Sequence, residues 1–510
     1  MGKKEQNPEQ KADMDAVWGE VKGAGVLDFV TAWYLKAAQY ITATAPASAS
    51  PSLEGSQKLA GGVSHRITVQ NEPAPAGAMD FDTVPAPLRG ASDGDAGSGG
   101  SRHRLISKSP AGLENIRVAF VSTNSISQGE QVSVLWGYLL SRYRVKIHFA
   151  HRTFPWESEA RGKAHVHVVI IGFGLGDVPE KRLYDYDHDP LNPSVTVASN
   201  ISPYLIEGSN TVVTGRTRSL SALPEISYGS MMIDKDRKSG DEAGLILSSL
   251  HRQALLAECP DLAPFIRRLY GGEEFLNGAV RYCLWLVGAP PSLVRNSPML
   301  RARIETVRKF RESSGREQTK NLANTPTLFG EIRQPNVRYL LIPKVSSETR
   351  HFIPIGFVEP DIIASGSALI VPGAELFHFG VLSSTMHNAW MRLVAGRLES
   401  RFQYSNAIVY NNYPWPEAPT RAQRSAVERA AQRVLDACAA STLADLYDPL
   451  AMPPALAAAH TALDKAVDRC YRSEPFPTAR ARVEHLLALY EKLTAPLAPT
   501  ATTRRKRAKV

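Results

Sequence analysis

IRVAFVSTNSISQGEQVSVLWGYLLSRYRVKIHFAHRTFPWESEARGKAHVHVVIIGF, residues 116–173, decides the fold class. VAFV at 118–121 reads as a short buried strand, and STNS after it as a polar turn. QGEQVSVLWGYLL (128–140) carries apolar residues at the helical period. VKIHFAH (145–151) and VHVVIIGF (166–173) are apolar enough for interior strands, and they could pair as an antiparallel hairpin across the loop RTFPWESEARGK. Strand, helix, strand is the grammar of an α/β sheet.

Working outward, Phe29, Val30, Trp33, Tyr34, Ala37 and Ile41 recur at spacings of three and four, which predicts one helix over 21–41. Residues 44–113 are more than half Ala, Pro, Gly and Ser. Such a stretch buries too little apolar surface to offset its ordering entropy, so it reads as a disordered insertion. Residues 201–416 form an α+β module. YLLIPKV, HFIPIGFV, SALIVPGA and NAIVYNN read as strands, and PDLAPFIRRLYG and SPMLRARIETVRKFRESS as helices. From Thr420 three Ala-rich helices follow, separated by proline-containing turns. The expected division is 1–43 with 114–200, the insertion 44–113, 201–416, a helical region 417–497 and a basic tail 498–510.

The chain has 510 residues, with 59 Lys and Arg against 50 Asp and Glu. No apolar run approaches the ~20 residues of a spanning helix, and MGKKEQNPEQ has no apolar core of a secretory signal. Four cysteines without a CxxC pair argue against a zinc knuckle or a disulfide framework, so a reduced, cytoplasmic protein without a membrane partner is expected. Between Arg295 and Arg350 twelve basic residues meet five acids, and Arg308 and Lys309 lie in this stretch. Residues 504–510 add five more basic groups. Such concentration suits a polyanion partner; the bland reading is a solvated surface and a loose tail.

GFGLGD (172–177) has the Gly-x-Gly-x-Gly of a nucleotide loop, but VPEKRLYDYDHDP follows where a helix is required, so it reads as a strand end leaving a sheet. His148, His151, His165 and His167 lack a cysteine or carboxylate framework and read as structural. Phe154 and Trp156, beside Arg152, Arg161 and Lys163, offer aromatic faces in a basic loop, which suits an unstacked base. The alternative is an aromatic loop folded on its own sheet. Arg333, Gln334, Asn336, Arg338, Lys344, Glu348 and Arg350 are donor and acceptor types suited to base edges. Glu348 and Arg350, two apart on an expected strand, would face one side. A surface salt bridge explains that pair equally well.

Longer stretches carry a resemblance. KGAGVLDFVTAWYLKAAQYI, AFVSTNSISQGEQVSVLW, FAHRTFPWESEARGKAHVHVVIIGF, PEISYGSMMID, FIRRLYGGEEFLNG, LFGEIRQP, KVSSETRHFIPIGF, GVLSSTMHNAWMR and YNNYPWP resemble the MmeI-like DNA adenine methyltransferases of restriction-modification systems. The resemblance implies part of a class I methyltransferase domain, then a target-recognition domain and C-terminal helices. It implies methyl transfer from S-adenosyl-L-methionine to the exocyclic amine of an adenine flipped out of double-stranded DNA. It implies that Phe154 and Trp156 sandwich that base, that Asp28 lies beside the cofactor and the base pocket, and that Glu348 and Arg350 read one base pair. Arg308, Lys309, Arg333 and Lys344 are expected at DNA.

The family's catalytic Asn-Pro-Pro-Phe comes before the segment resembling GKKEQNPEQKADM, and no Asn-Pro-Pro occurs in these residues. The 510 residues are therefore expected to lack the cofactor glycine loop and to be inactive alone. A specificity subunit that serves a separate catalytic or nuclease chain is the alternative reading.

Overall fold

The protein is represented by a computed structural model that describes residues 5–44, 116–156, 166–186, 189, 191–234 and 244–495. The expected insertion (from residue 45), the basic tail, Arg161, Lys163 and His165 lie outside the described residues.

Helix α1 (Pro8–Trp18) starts with Pro8 at its first turn and a reciprocal capping box between Asn7 and Gln10. The single helix expected over 21–41 is corrected. Gly23 adopts a left-handed φ of 87° and opens a 3₁₀ turn at Ala24–Val26. Helix α2 (Thr31–Thr44) begins only after Asp28.

Strands β1 (Arg117–Thr123), β2 (Lys146–Trp156), β3 (Val166–Gly174), β4 (Lys181–Asp185) and β5 (Ser194–Ala198) form one sheet in the order β1-β3-β2-β4-β5. Helix α3 (Glu130–Tyr138) joins β1 towards β2. β2 and β3 pair antiparallel, as expected.

One face of this sheet packs on α2 and α3. Tyr34 stacks on Phe173 at 5.6 Å, meets Phe120 at 5.1 Å and Trp136 at 5.8 Å, and its hydroxyl bonds Ser122 at 3.0 Å. The opposite face is more open. Val121, Val195 and Val197 are each more than half exposed. VAFV is therefore not a buried strand. β1 has a neighbour on one side only, and its residues alternate between the core and solvent.

The middle of the chain carries three smaller sheets. Strands Gly356–Val358, Tyr339–Pro343, Ala368–Pro372 and Ser227–Tyr228 form one. Val345–Ser346, Arg401–Gln403 and Gly396–Leu398 form another.

Two sequence expectations fail here. PDLAPFIRRLYG is a 3₁₀ turn, Pro260–Phe265, and then a strand, Ile266–Tyr270; Pro264 inside the turn cannot donate to a continuing helix. NAIVYNN is a π-helical turn, Asn406–Tyr410, not a strand. Ile408, Val409 and Tyr410 are all buried in succession, and Ser405 caps the turn, so the period-two pattern of a half-buried strand is absent.

The helix Pro298–Glu312 belongs to a second core, with Leu300, Ile304 and Val307 packed against Leu245, Leu269 and Leu284. Arg311 on the same helix is fully buried. Its guanidinium donates to the carbonyls of Ile233, Met232, Leu322, Thr325 and Leu328 at 2.8–3.0 Å.

The three C-terminal helices, Arg421–Ala437, Pro454–Tyr471 and Ala479–Thr494, form where expected. They share the principal core with the first sheet and with the helices Leu376–Ser383 and Thr385–Val394. Arg482 and Asp468, both nearly buried, tie the last two helices together through paired bonds of 2.6 and 3.0 Å.

Candidate functional site

Where the three parts meet, the surface is grooved by three adjoining cavities. A central one of about 410 Å³ is lined by Gln128, Arg152, Thr153, Arg392, Arg397 and Arg480, among others. It shares Arg392 and Ala389 with a cavity that reaches Glu348, Thr349 and His351. It shares Gln128 and Arg397 with a cavity lined by Ser125, Tyr228, Lys344 and Gln403.

The N-terminal side of the groove is built on the end of β1. Asp28 is buried, and its carboxylate accepts from the Ser125 hydroxyl at 2.5 Å. Its backbone N–H donates to Gln131 at 3.1 Å, and Thr31 donates to its carbonyl at 2.7 Å. Asp28 thus fixes the loop that presents Ser125 and Gln128 to the groove, rather than offering a free carboxylate there. In that loop Gly129 has φ +62° and lies against Gly396 of the middle region, where an added Cβ would come within 3.1 Å of the Gly396 backbone. Only glycine at 129 permits this approach.

Phe154 and Trp156 lie not in the expected loop but at the C-terminal end of strand β2. They pair with Val168 and Val166 of β3. Their rings lie 6.4 Å apart, and Phe154 stacks on Tyr186 at 4.6 Å. His151 stacks on Tyr184 at 4.1 Å and bonds the Tyr186 hydroxyl at 2.7 Å. Burial pushes the His151 pKa down to about 4, so this ring is neutral near pH 7. Trp156, about half exposed at the outer end of this aromatic row, is the ring open to a ligand. Arg152 and Thr153, next to Phe154, line the central cavity.

Glu348 and Arg350 also depart from expectation. The strand ends at Ser346, and Glu348–Thr349 is a turn held by a 2.8 Å bond between the Ser347 and Thr349 hydroxyls. Ser and Thr hydroxyls compete with strand pairing in this way. The shared-face argument from strand period therefore does not apply.

Arg392 organises the turn instead, donating to the carbonyls of Glu348 and Arg350. Burial would raise the Glu348 pKa. The Ser400 hydroxyl, its own backbone N–H, Arg397 and His167 outweigh that and hold it below the ordinary carboxylate value. Glu348 is therefore an ionised, acceptor-only group. Burial lowers the Arg350 pKa, with Asp448 opposing.

Lys344 lies in the same groove, its ammonium 5.2 Å above the Tyr228 ring. The structure does not bring the other expected DNA contacts into the cavities. Arg333 pairs with Glu331 and lines none of the three. Arg308 and Lys309 sit on the helix over the second core, where both lie within 4 Å of Glu305. The local charge of 295–350 also overstates its surface cations, because Arg311 and Arg303 donate to backbone carbonyls inside the fold.

The chain matches three family models: the MmeI DNA-methyltransferase domain at residues 1–54 and 106–185, the MmeI target recognition domain at 207–417 and the MmeI C-terminal domain at 419–498. The chain belongs to the MmeI family. It is 33% identical to DNA methyltransferase A of Bacillus subtilis (strain 168) over 97% of its own length and 47% of that protein. It matches the type IIL restriction-modification enzyme MmeI, solved in complex with DNA, at 40% identity and a TM-score of 0.78, covering 97% of this chain and 56% of that one. The chain thus spans about half the length of these relatives.

Within this MmeI-family frame, sequence reading missed the arginines of the central cavity, Arg392, Arg397 and Arg480. Arg480 comes from a segment far from Arg392 and Arg397 in the chain, and no local motif joins the three. It also missed Ser125 and Ser400, whose partners lie 97 and 52 residues away.

Among the described residues no group of His, Cys, Asp and Glu could hold a metal ion, and no helix is long and apolar enough to cross a membrane.

Proposed function

We propose that this chain supplies the DNA-reading and base-holding part of a site-specific DNA adenine methyltransferase of a restriction-modification system, working in the cytoplasm on double-stranded DNA. The observation that carries the reading is the groove itself. It brings an ionised Glu348 in its turn, Lys344 and the arginines Arg152, Arg392, Arg397 and Arg480 along one surface, and Arg152 and Thr153 join it to the strand whose aromatic row ends in Trp156, at the junction of the three matched regions.

In this reading 1–43 with 114–200 is part of a class I methyltransferase sheet, 201–416 recognises the target, and 417–497 braces the two. Lys344 contacts phosphate at the groove, Arg392 and Arg397 hold the Glu348 turn and the hairpin beside it, and Arg333, Arg308 and Lys309 contribute from outside the groove. Phosphate contacts of this kind position the duplex, and base-edge contacts specify it. A flipped adenine stacks on Trp156 and Phe154, since its amine is otherwise engaged in pairing. The methyl donor of the family reading is S-adenosyl-L-methionine. Gly172 and Gly174 do not form a glycine loop for it, since they lie in β3, which leads into β4 rather than a helix. Asp28 is engaged by Ser125. The roles proposed for this chain's residues therefore concern DNA. The open sheet face bearing Val121, Val195 and Val197 is consistent with a larger assembly that includes a catalytic methyltransferase or nuclease portion.

Trp156→Ala tests the base-holding role. The ring is half exposed, so stability should change by no more than about 0.5 kcal/mol. Affinity for a duplex whose target adenine faces an abasic site, where flipping is easy, should fall by about 1–3 kcal/mol. Equal affinities of wild type and variant for that duplex, measured by fluorescence anisotropy, would remove Trp156 from the base site.

A further inference from the structure

Glu348 is held by a side chain as well as by its own turn. The Ser400 hydroxyl donates to Glu348 Oε1 at 2.6 Å. Ser400 sits at the tip of a hairpin formed by Gly396–Leu398 and Arg401–Gln403. That tip is fixed from several sides. Arg397 donates to the Ser400 carbonyl at 2.8 Å. Phe402 is buried between the guanidiniums of Arg397 and Arg392, at 4.0 and 5.0 Å. The strand that leads into the reading turn pairs with this hairpin, Val345 with Gln403 and Ser346 with Phe402. The same hairpin touches Gly129 of the β1-end loop through Gly396. One rigid element therefore supports the Glu348 turn and the loop that Asp28 anchors.

A carboxylate with one oxygen committed to Ser400 presents the other in a set direction. An exocyclic amine, such as that of cytosine in the major groove, needs one acceptor in a defined place. A glutamate without that anchor would sample several rotamers and accept from the amine less selectively.

We propose that Ser400 is a specificity-positioning residue: its hydroxyl orients the Glu348 carboxylate for reading one base pair, without itself touching DNA. This rests on the reading of Glu348 as a base contact.

The test is selection of bound duplexes from a randomised pool by the full chain as wild type, Glu348→Ala, Ser400→Ala and Ser400→Thr, with sequencing of the bound fraction. Ser400→Ala should weaken preference about threefold to tenfold, the range of one net hydrogen bond, and only at the base pair whose preference Glu348→Ala abolishes. Ser400→Thr, which keeps the hydroxyl, should restore it, and affinity for the unselected pool should not change.

If Glu348→Ala alters one position and Ser400→Ala leaves it intact, the proposal is overturned while the base-reading role stands. A uniform loss of affinity in Ser400→Ala, or failure of threonine to restore preference, makes Ser400 a merely structural residue and also overturns it. If Glu348→Ala changes no position, the base-reading role itself falls, and this proposal with it.

Discussion

Replacement of Arg311 by methionine is expected to destabilise the region around the second core by about 3–5 kcal/mol. Its guanidinium is the shared donor for five backbone carbonyls, at Met232, Ile233, Leu322, Thr325 and Leu328. Leaving a buried acceptor without its donor costs about 1–3 kcal/mol each, and relief of the arginine's own desolvation offsets part of the total. Lysine should rescue little, because one ammonium cannot reproduce a planar fork that reaches five acceptors. Burial lowers the Arg311 pKa, but a guanidinium stays charged through neutral pH, so the effect should be flat with pH there. Urea unfolding of wild type and variant measures it. A loss below about 1 kcal/mol would mean that the carbonyls find other donors.

The second large effect concerns recognition. Exchanging Glu348 and Arg350 together for other polar residues should change preference at one base pair by about 1–3 kcal/mol, roughly tenfold to a hundredfold, and leave the other positions as they were. Arg392 holds the backbone of the turn through the Glu348 and Arg350 carbonyls, so the two side chains can change without moving it. A phosphate contact behaves differently: its loss weakens all sequences alike and lowers the salt dependence. Competition between duplexes that differ at single base pairs separates the two. A uniform loss would place the pair on the DNA backbone or in a surface ion pair.

Much of the fold was legible in the chain because its pattern is local. The β2–β3 pairing, the helix Pro298–Glu312 and the three C-terminal helices follow from runs of apolar residues at period two or 3.6. The errors have local causes of a different kind. A left-handed Gly23 split one helix, Pro264 turned another into a strand, and Ser405 capped a π-helical turn where NAIVYNN reads as a strand.

The site was legible only in part. Trp156, Glu348 and Lys344 stand out by residue type, and the groove places the last two, with the segment next to Phe154, along one surface. Their supports, Ser125 for Asp28 and Ser400 for Glu348, depend on contacts between distant segments that no spacing in the sequence encodes. The basic stretch at 295–350 misled for the same reason. Charge counts do not show that Arg311 and Arg303 are spent on carbonyls within the fold.

The groove's role as the DNA site is tested most directly by photo-crosslinking. Duplexes selected by the full chain would carry 5-iodouracil at successive positions, and the crosslinked peptides would be identified by mass spectrometry. Adducts are expected within 152–156, 344–351 and 396–403, the segments that line the three cavities or adjoin them. Adducts confined to other surfaces, such as the helix bearing Arg308 and Lys309, would contradict it.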